Sequence, residues 1–368
     1  MNALEEILPR LKMTRQGAIT RRDFLHNAAV PFALTALSKF LPADDTKAPQ
    51  NRMGIASTSF APPATSQTGN RPQGRDAYEF LEKCSALGAG GIQTQVNGDL
   101  AKLRSRAEQL GMWIEGMVSV PRNGDAAAFE RSLIDAKAAG ARVVRGAMLS
   151  GRRYETFTTL AEWKKWVDQS YEALRLVVPI LERQKITLAI ENHKDWTLEE
   201  MQRLLRTYSS EYLGVCVDFG NNIALLDDPM ETVETLAPYA RSTHVKDMGV
   251  KPYADGFLLS EVPLGVGFLD LPRMVSTLQK ANSGIHFSLE MITRDPLKVP
   301  CLTPQYWTVF PERNGKFLAR TLKLVHEHSG SASPLPTVSN LANTERVRIE
   351  EENVKACFKY AHDRLLIS

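Results

Sequence analysis

Between residues 53 and 328, short apolar runs alternate with stretches in which apolar residues recur at helical spacing. The runs are typical of buried strands, and the stretches between them have the period of amphipathic helices. Gly111 ends one helical stretch, Asp125 is placed to cap another, and Thr197 with Glu200 forms a capping-box pattern. The predicted strands are 53–60, 90–96, 112–120, 141–149, 186–192, 213–220, 240–248 and 285–291, and the predicted helices are 75–87, 99–111, 125–140, 158–184, 197–208, 228–237, 270–282 and 312–328.

This alternation predicts the fold class. Strands that alternate with helices pair in parallel, in a sheet that helices cover. Eight such units match the (β/α)8 TIM barrel, which typically takes about 250 residues. A doubly wound open sheet is the competing fold, but it would usually show a glycine-rich turn after its first strand, where this chain reads "ASTSFAPP". We therefore expect an α/β protein with a TIM barrel over residues 53–328.

The N-terminal segment, residues 1–45, has the pattern of an export signal. Residues 20–26 read "TRRDFLH", and a weakly apolar stretch, "NAAVPFALTAL", follows at 27–37. This resembles a twin-arginine signal, which implies the twin-arginine translocation machinery as a partner and an exported, periplasmic protein. The apolar run is too short to span a membrane, which takes about 20 residues. An ordinary amphipathic helix with two surface arginines is the alternative.

The C-terminal segment, residues 340–368, is predicted to be a helical extension, with one helix over 343–366 after a loop rich in Ser and Pro. It would pack outside the barrel or against a partner subunit. Two further segments, 251–266 and 292–311, are interpreted as lid-like. The C-terminal helix and these two segments suggest a homo-oligomer or another partner.

Composition narrows the functional classes. The chain has 368 residues, of which 43% are hydrophobic, so it can bury a large core. Its 45 basic and 42 acidic residues give a net charge of +3 without a long basic block, so nothing indicates a nucleic-acid partner. The four cysteines form no CxxC pair, which argues against a zinc ribbon and a dense disulfide framework.

Four neighbouring predicted strands end in residues that can bind a metal ion: Glu191, Asp218, His244 and Glu290. In a TIM barrel the active site lies at the carboxyl ends of the strands, so these side chains should converge. Three adjacent carboxylates would repel one another, and a divalent cation removes that repulsion. Three oxygens and one imidazole favour Mn²⁺, Mg²⁺ or Co²⁺, with Zn²⁺ also open. Such an ion polarises a carbonyl and stabilises the enediolate formed when the neighbouring C–H loses its proton.

The segments "IEN", "VDFGN", "HVKD" and "SLE" contain these four residues. In order and in strand-end placement they resemble the xylose-isomerase-like TIM barrel superfamily, the sugar phosphate isomerase/epimerase family, over residues 53–328. Ketose 3-epimerases, hydroxypyruvate isomerase, inosose dehydratase and endonuclease IV belong to it. The resemblance implies that Glu191, Asp218, His244 and Glu290 hold one divalent cation, most simply Mn²⁺. It also implies that Glu191 and Glu290 act as the acid/base pair on opposite faces of a sugar.

The chain departs from this pattern at two places. Ketose 3-epimerases have a histidine where this chain has Asn221, and an arginine where it has Val250. These differences argue against a simple free-ketose epimerase. Endonuclease IV needs several more histidines than the seven present, so DNA repair is set aside. The pairs "ENH" and "HVKD" are closer to family members that act on inosose or 3-keto-glycosides.

Two more residues are candidates for proton transfer. His193 and Lys246 each lie two positions beyond a predicted ligand, so strand alternation aims both at the same region. Lys246 has an alternative role as the ion-pair partner of Asp247 or Asp195.

The substrate-binding candidates are polar or aromatic residues near the predicted strand ends. Arg145 would hold a substrate oxygen or form a salt bridge, and Gln95, with Gln93, would bind sugar hydroxyls or serve the structure. Trp196 would stack on a sugar ring, although aromatic residues more often belong to the core. The set is Asn221, Arg145, Gln95 and Trp196.

The leading hypothesis is a metal-dependent isomerase or epimerase that acts on a keto sugar or keto-glycoside by proton abstraction through an enediolate. A lyase or hydratase, in which the same intermediate expels a substituent, is the alternative enzyme. A non-catalytic metal-dependent sugar-binding barrel is the alternative outside enzymes.

Overall fold

The structure, a computed structural model, describes residues 53–61, 76–122, 124–332 and 334–367. The predicted signal segment, residues 1–45, lies outside the described residues. Within the described ranges, no helix combines the length and the apolar character needed to cross a membrane.

Eight parallel strands close into a barrel, which confirms the predicted fold class. Around the barrel their order is β1-β10-β7-β6-β5-β4-β3-β2, and β2 pairs with β1 to complete the ring. Numbered in chain order over all strands, the barrel strands are β1 (Met53–Ala56), β2 (Gly91–Thr94), β3 (Trp113–Met117), β4 (Val143–Gly146), β5 (Thr187–Glu191), β6 (Leu213–Asp218), β7 (Ala240–Val245) and β10 (Phe287–Leu289).

Helices connect the strands and cover the barrel. Most begin at a side-chain cap, and the predicted capping box forms because Thr197 accepts from the Glu200 amide while Glu200 accepts from the Thr197 amide. Asp125 caps the third helix, as predicted. The α-helices are α1 (Ala77–Ala86), α2 (Leu100–Leu110), α3 (Ala126–Ala138), α4 (Arg153–Thr156), α5 (Leu160–Gln184), α6 (Leu198–Thr207), α7 (Pro229–Leu236), α8 (Leu271–Ala281), α9 (Pro304–Trp307), α10 (Gly315–His328) and α11 (Asn343–Tyr360).

A three-stranded antiparallel sheet lies beside the barrel, and the sequence analysis was wrong about this region. The predicted strand 240–248 is in fact two strands, β7 and β8 (Asp247–Tyr253), with Lys246 between them. The segments interpreted as lid-like contain β9 (Gly256–Val262) and β11 (Leu297–Val299), which pair as β11-β9-β8. Backbone hydrogen bonds therefore hold this region in a defined sheet.

The C-terminal helix α11 packs on the outside of the barrel, next to the segment after β1 and the segment after β10. Glu350 accepts a hydrogen bond from the Ala61 amide at 3.2 Å, and Asn353 donates to Thr293 at 2.9 Å. Glu350 is buried. The extension thus contributes to the carboxyl end of the barrel, where the predicted ligands lie.

Candidate metal centre

Four buried side chains from adjacent strands converge at the carboxyl end of the barrel. Glu191, Asp218, His244 and Glu290 each present a ligand atom, and these atoms lie within 4.8 Å of one another. The parallel register places Asp218 directly beside His244 on β6 and β7. The predicted convergence is confirmed, and it follows from the strand ends of a closed parallel sheet.

Asp218 has one oxygen fixed by the backbone and one that faces the cluster. Its Oδ1 accepts from the Gly220 amide at 2.9 Å and from the Asn221 amide at 2.7 Å. Its Oδ2 lies 3.6 Å from His244 Nδ1 and 2.8 Å from Lys246 Nζ. Burial raises the pKa of Asp218, but Lys246 and His244 outweigh burial and lower it to about 2. Asp218 is therefore an anion whose Oδ2 faces the cluster, with the Lys246 ammonium as its positive neighbour.

Glu191 is held by two polar side chains. Asn221 donates to its Oε1 at 2.8 Å, and the Arg145 guanidinium forms an ion pair with its Oε2. The buried ammonium of Lys194 in turn donates to the Asn221 carbonyl. Asn221 therefore orients a carboxylate of the cluster.

Glu290 follows β10 and is fixed from two sides. Thr58 donates to its Oε1 at 2.8 Å, and Lys246 contacts its Oε2. Lys246 is fully buried, and its ammonium therefore lies against both Glu290 and Asp218. The alternative ion pair of Lys246 with Asp247 is absent from the described structure, because Asp247 accepts backbone amides instead.

His244 has one ring nitrogen in a hydrogen bond and one that faces the carboxylates. Its Nε2 lies 2.6 Å from Gln93 Oε1. Its Nδ1 lies 3.4 Å from a Glu191 oxygen and 3.5 Å from a Glu290 oxygen. Burial alone would lower the pKa of the imidazole, but Cys216, Glu290 and Asp218 raise it well above its usual value. A proton and a cation would thus compete for Nδ1.

The donor set fits a divalent cation. Within the described residues, His244 Nδ1 is buried, forms no hydrogen bond and faces three buried carboxylates. Buried polar atoms are rarely left without a partner, so the convergence of this nitrogen with the carboxylate oxygens indicates a place for an ion. Oxygen-rich sites with one imidazole suit Mg²⁺ or Mn²⁺, and Zn²⁺ also accepts such ligands.

A cavity of about 1330 Å³ opens at this end of the barrel. Its lining includes Thr58 and Arg145, which contact Glu290 and Glu191, respectively. Helix α11 contributes Arg346 and Glu350 to the wall. The cavity therefore reaches residues that contact two carboxylates of the cluster, and it has room for a sugar-sized molecule.

The other predicted site residues lie in different surroundings. Gln95 is exposed and lines the cavity. The pKa of His193 is held well below its usual value by burial and by the nearby cations of Lys194 and Arg145, so its ring is neutral beside the cluster. Trp196 is not brought to the cavity wall: it is buried against Trp163, Trp166 and Tyr171. Its surroundings are those of a core residue.

Three residues of the site were missed. Thr58 and Lys194 carry the contacts described above, and Glu261 on β9 lies 4.0 Å from Lys246 and is ion-paired with Arg294. The sequence did contain a signal for the hairpin that brings Glu261 to the site. Asp255-Gly256 between apolar residues is a strong hairpin-turn pattern.

Comparisons with known proteins agree with this geometry. The chain belongs to the xylose isomerase-like TIM barrel family, whose model matches residues 81–308. Over 249 residues it is 28% identical to 3-oxo-isoapionate decarboxylase from Pectobacterium atrosepticum, which covers 65% of this chain and 84% of that protein.

Two solved structures share the fold. A crystal structure of D-psicose 3-epimerase in the presence of D-fructose matches with a TM-score of 0.54 at 14% identity, over 85% of this chain and 99% of that chain. A xylose isomerase-like TIM barrel protein from Mycobacterium smegmatis in complex with magnesium matches with a TM-score of 0.50 at 17% identity, over 74% of this chain and 98% of that chain. These two likenesses support the barrel fold alone.

Proposed function

We propose that the protein is a divalent-cation-dependent enzyme that isomerises or epimerises a keto sugar or keto-glycoside. The observation that carries this proposal is the convergence of Glu191, Asp218, His244 and Glu290 beside a sugar-sized cavity. When bound, a divalent cation would polarise the substrate carbonyl and so acidify the neighbouring C–H.

Glu191 and Glu290 are the proposed proton-transfer pair. Glu191 ends β5 and Glu290 follows β10, so two barrel strands, β6 and β7, lie between them. A group that removes a proton from one face of a carbon and a second that returns it to the other face need this kind of separation. Arg145 and Thr58 would keep the two carboxylates oriented. Lys246 Nζ would donate a proton to a substrate oxygen.

A decarboxylase or other lyase is the second candidate, and the relative from Pectobacterium atrosepticum favours it. Loss of CO₂ beside a ketone leaves the same kind of carbanion as proton removal does. Only one proton must then be delivered to carbon, so one of the two glutamates would suffice.

The test is incubation with a panel of keto sugars, 3-keto-glycosides and 3-keto acids in D₂O, with Mn²⁺ or with EDTA. An epimerase gives a deuterated product of unchanged formula. A decarboxylase gives CO₂ and a shorter labelled product, and another lyase releases a different leaving group. Metal-dependent binding without exchange or cleavage would refute both enzymes and leave a sugar-binding protein.

Two single variants separate the candidates further. Glu191→Gln and Glu290→Gln should each abolish epimerisation, because each face needs its own carboxylate. Exchange at one face should survive in one of the two variants. Because both glutamates are also proposed ligands, the assays use saturating Mn²⁺, and a decarboxylase would then tolerate one of the substitutions. Glu327→Gln, an exposed glutamate on α10, is the control and should change nothing.

Export by the twin-arginine pathway is a separate part of the proposal and rests on Arg21 and Arg22 in "TRRDFLH". Cell fractionation should find the full chain in the periplasm. The paired change Arg21→Lys with Arg22→Lys should retain it in the cytoplasm, and equal distribution of both proteins would contradict export by this route.

A further inference from the structure

A chain of buried polar side chains runs through the barrel interior to His244. Gln93 on β2 lies beside Glu115 on β3 in the strand register, and Ser242 precedes His244 by two residues on β7. All four side chains are at most 1% exposed. TIM-barrel interiors are normally filled by bulky aliphatic residues, so a polar layer at this position is unusual.

The hydrogen bonds between these buried side chains each have a defined donor and acceptor. Gln93 Nε2 lies 3.1 Å from Glu115 Oε2 and 3.1 Å from Ser242 Oγ. The Ser242 hydroxyl donates to the same Glu115 oxygen at 2.5 Å. Glu115 Oε2 accepts both of these bonds, so the amide nitrogen of Gln93 faces Glu115 and the amide oxygen faces away from it.

The orientation of the Gln93 amide also determines its contact with His244. The Gln93 oxygen lies 2.6 Å from His244 Nε2 and can only accept, so Nε2 must carry a proton. In the neutral ring the lone pair is then on Nδ1, which faces Glu191, Asp218 and Glu290. A metal-binding histidine commonly donates its other N–H to a polar neighbour, which fixes the ring and its tautomer.

We infer that Gln93 and Glu115 are positioning residues that set the tautomer of His244 and present its Nδ1 to the cation. This inference rests on the cation site of the proposed function. Glu115 acts on His244 indirectly, because its carboxylate fixes the orientation of the Gln93 amide. In the part of the chain that the structure describes, Gln93 is hydrogen-bonded to His244, and Glu115 is linked to His244 through Gln93.

A purely structural role explains these hydrogen-bonded side chains less well. Burying a carboxylate costs free energy unless its oxygens find partners. Glu115 Oε1 forms no hydrogen bond within the described residues and lies 3.5 Å from His286 Nδ1. An aliphatic layer would fill the same space without that cost, so the arrangement is explained by what it does to His244.

The test compares two variants after removal of metal with EDTA. Gln93→Met keeps the side-chain length and removes the acceptor, so Mn²⁺ affinity measured by titration calorimetry should fall about 10- to 100-fold. The exchange variant, Gln93→Glu with Glu115→Gln, keeps the charge and every link, because a carboxylate at position 93 still accepts from His244. Its Mn²⁺ affinity should return to within about threefold of the wild type, the small change expected when a link is kept.

A spectroscopic readout separates positioning from packing. In ¹⁵N-histidine-labelled protein loaded with Zn²⁺, the His244 ring should show a protonated Nε2 in the wild type and in the exchange variant. In Gln93→Met this Nε2 signal should shift or broaden. Thr243→Val is the matched control, since Thr243 is buried on the same strand but donates to the His286 carbonyl.

Two outcomes would overturn the inference: wild-type Mn²⁺ affinity in folded Gln93→Met, or an exchange variant that binds as weakly as Gln93→Met. If Gln93→Met does not fold, the folded exchange variant decides alone, because loss of Mn²⁺ binding there contradicts the inference. Metal binding that depends on Gln93 in a protein without any C–H exchange would refute the proposed enzyme and leave the inference standing. Exchange activity with affinity independent of Gln93 would refute the inference alone.

Discussion

Replacing Lys246 with methionine tests the electrostatics of the metal centre. The Lys246 ammonium lies 2.8 Å from Asp218 Oδ2 and contacts Glu290 Oε2, the same oxygens that a cation would use. Lys246→Met keeps the length of the side chain and removes its charge. Without metal, the variant leaves the carboxylates of Asp218 and Glu290 uncompensated in a buried site.

The expected magnitude follows from these contacts. Two unit charges 2.8 Å apart attract by about 6 kcal/mol at an effective dielectric constant near 20, before desolvation is subtracted. Breaking a buried ion pair by removing one partner costs about 3–5 kcal/mol, so the metal-free variant should lose about that much free energy of unfolding. With metal the sign reverses: the site is one charge more negative, and Mn²⁺ should bind at least about tenfold more tightly, or about 1.4 kcal/mol.

The assay is urea unfolding in EDTA and in Mn²⁺, together with titration calorimetry. Saturating Mn²⁺ should restore most of the lost stability, since a ligand at about 1,000 times its Kd contributes about 4 kcal/mol. Turnover should nevertheless fall, because Lys246 no longer donates a proton.

Lys194→Met is the matched control. Lys194 is also buried, but it contacts Asn221 rather than a ligand oxygen, and burial followed by the charge of Lys246 lowers its pKa to about 8. Its removal at pH 8 should change Mn²⁺ affinity by less than about threefold, as expected for a charge that is half neutralised. The reasoning is refuted if Lys246→Met binds Mn²⁺ no more tightly than the wild type and is equally stable in EDTA.

Three further changes test the surroundings of the site. Burial raises the pKa of Asp195 to about 7, so the stability it contributes is present below about pH 4 and lost as the pH rises towards 7. This loss of stability amounts to about 4 kcal/mol, and Asp195→Asn should not show it in urea unfolding at several pH values. If the free energy of unfolding of the wild type and of the variant changed with pH in the same way, this expectation would be contradicted. Arg153→Met breaks a buried ion pair with Glu200 and a hydrogen bond to the Val309 carbonyl, so the free energy of unfolding should fall by about 3–5 kcal/mol. The Mn²⁺ affinity should stay unchanged, and a loss of affinity in the folded variant would contradict a purely structural role for Arg153. Trp196→Leu should cost about 3 kcal/mol of stability and leave KM unchanged, because Trp196 is packed in the core; a raised KM would return it to the substrate site.

The four predicted ligands could be found in the sequence because parallel strands end at one edge. An apolar run that stops at Glu191 or Asp218 identifies both the strand and its functional end, and barrel closure then brings the ends together. Convergence required no knowledge of side-chain conformation. Neighbouring strands had only to deliver one ligand each.

The partners of these ligands were harder to predict, since each depends on contacts between distant segments. Gln93 and His244 are 151 residues apart, and their contact needs the barrel register as well as inward-pointing side chains. Trp196 was a candidate for stacking on a sugar ring, with a core position as the alternative. Its packing against α5 is a tertiary contact that periodicity does not reveal.

The antiparallel sheet explains why the charge of Lys246 could not be placed from its own strand. Lys246 lies between β7 and β8, and its ammonium is near Glu261 as well as the carboxylates of the cluster. Glu261 is fully buried and paired with Arg294, which lines the cavity. The barrel strands thus supply the ligands and the counter-charge of Arg145, whereas the added sheet supplies Glu261, a further carboxylate beside the Lys246 ammonium. Because counter-charges set how tightly a site holds a cation or a proton, the chemistry of this barrel depends on the sheet outside it.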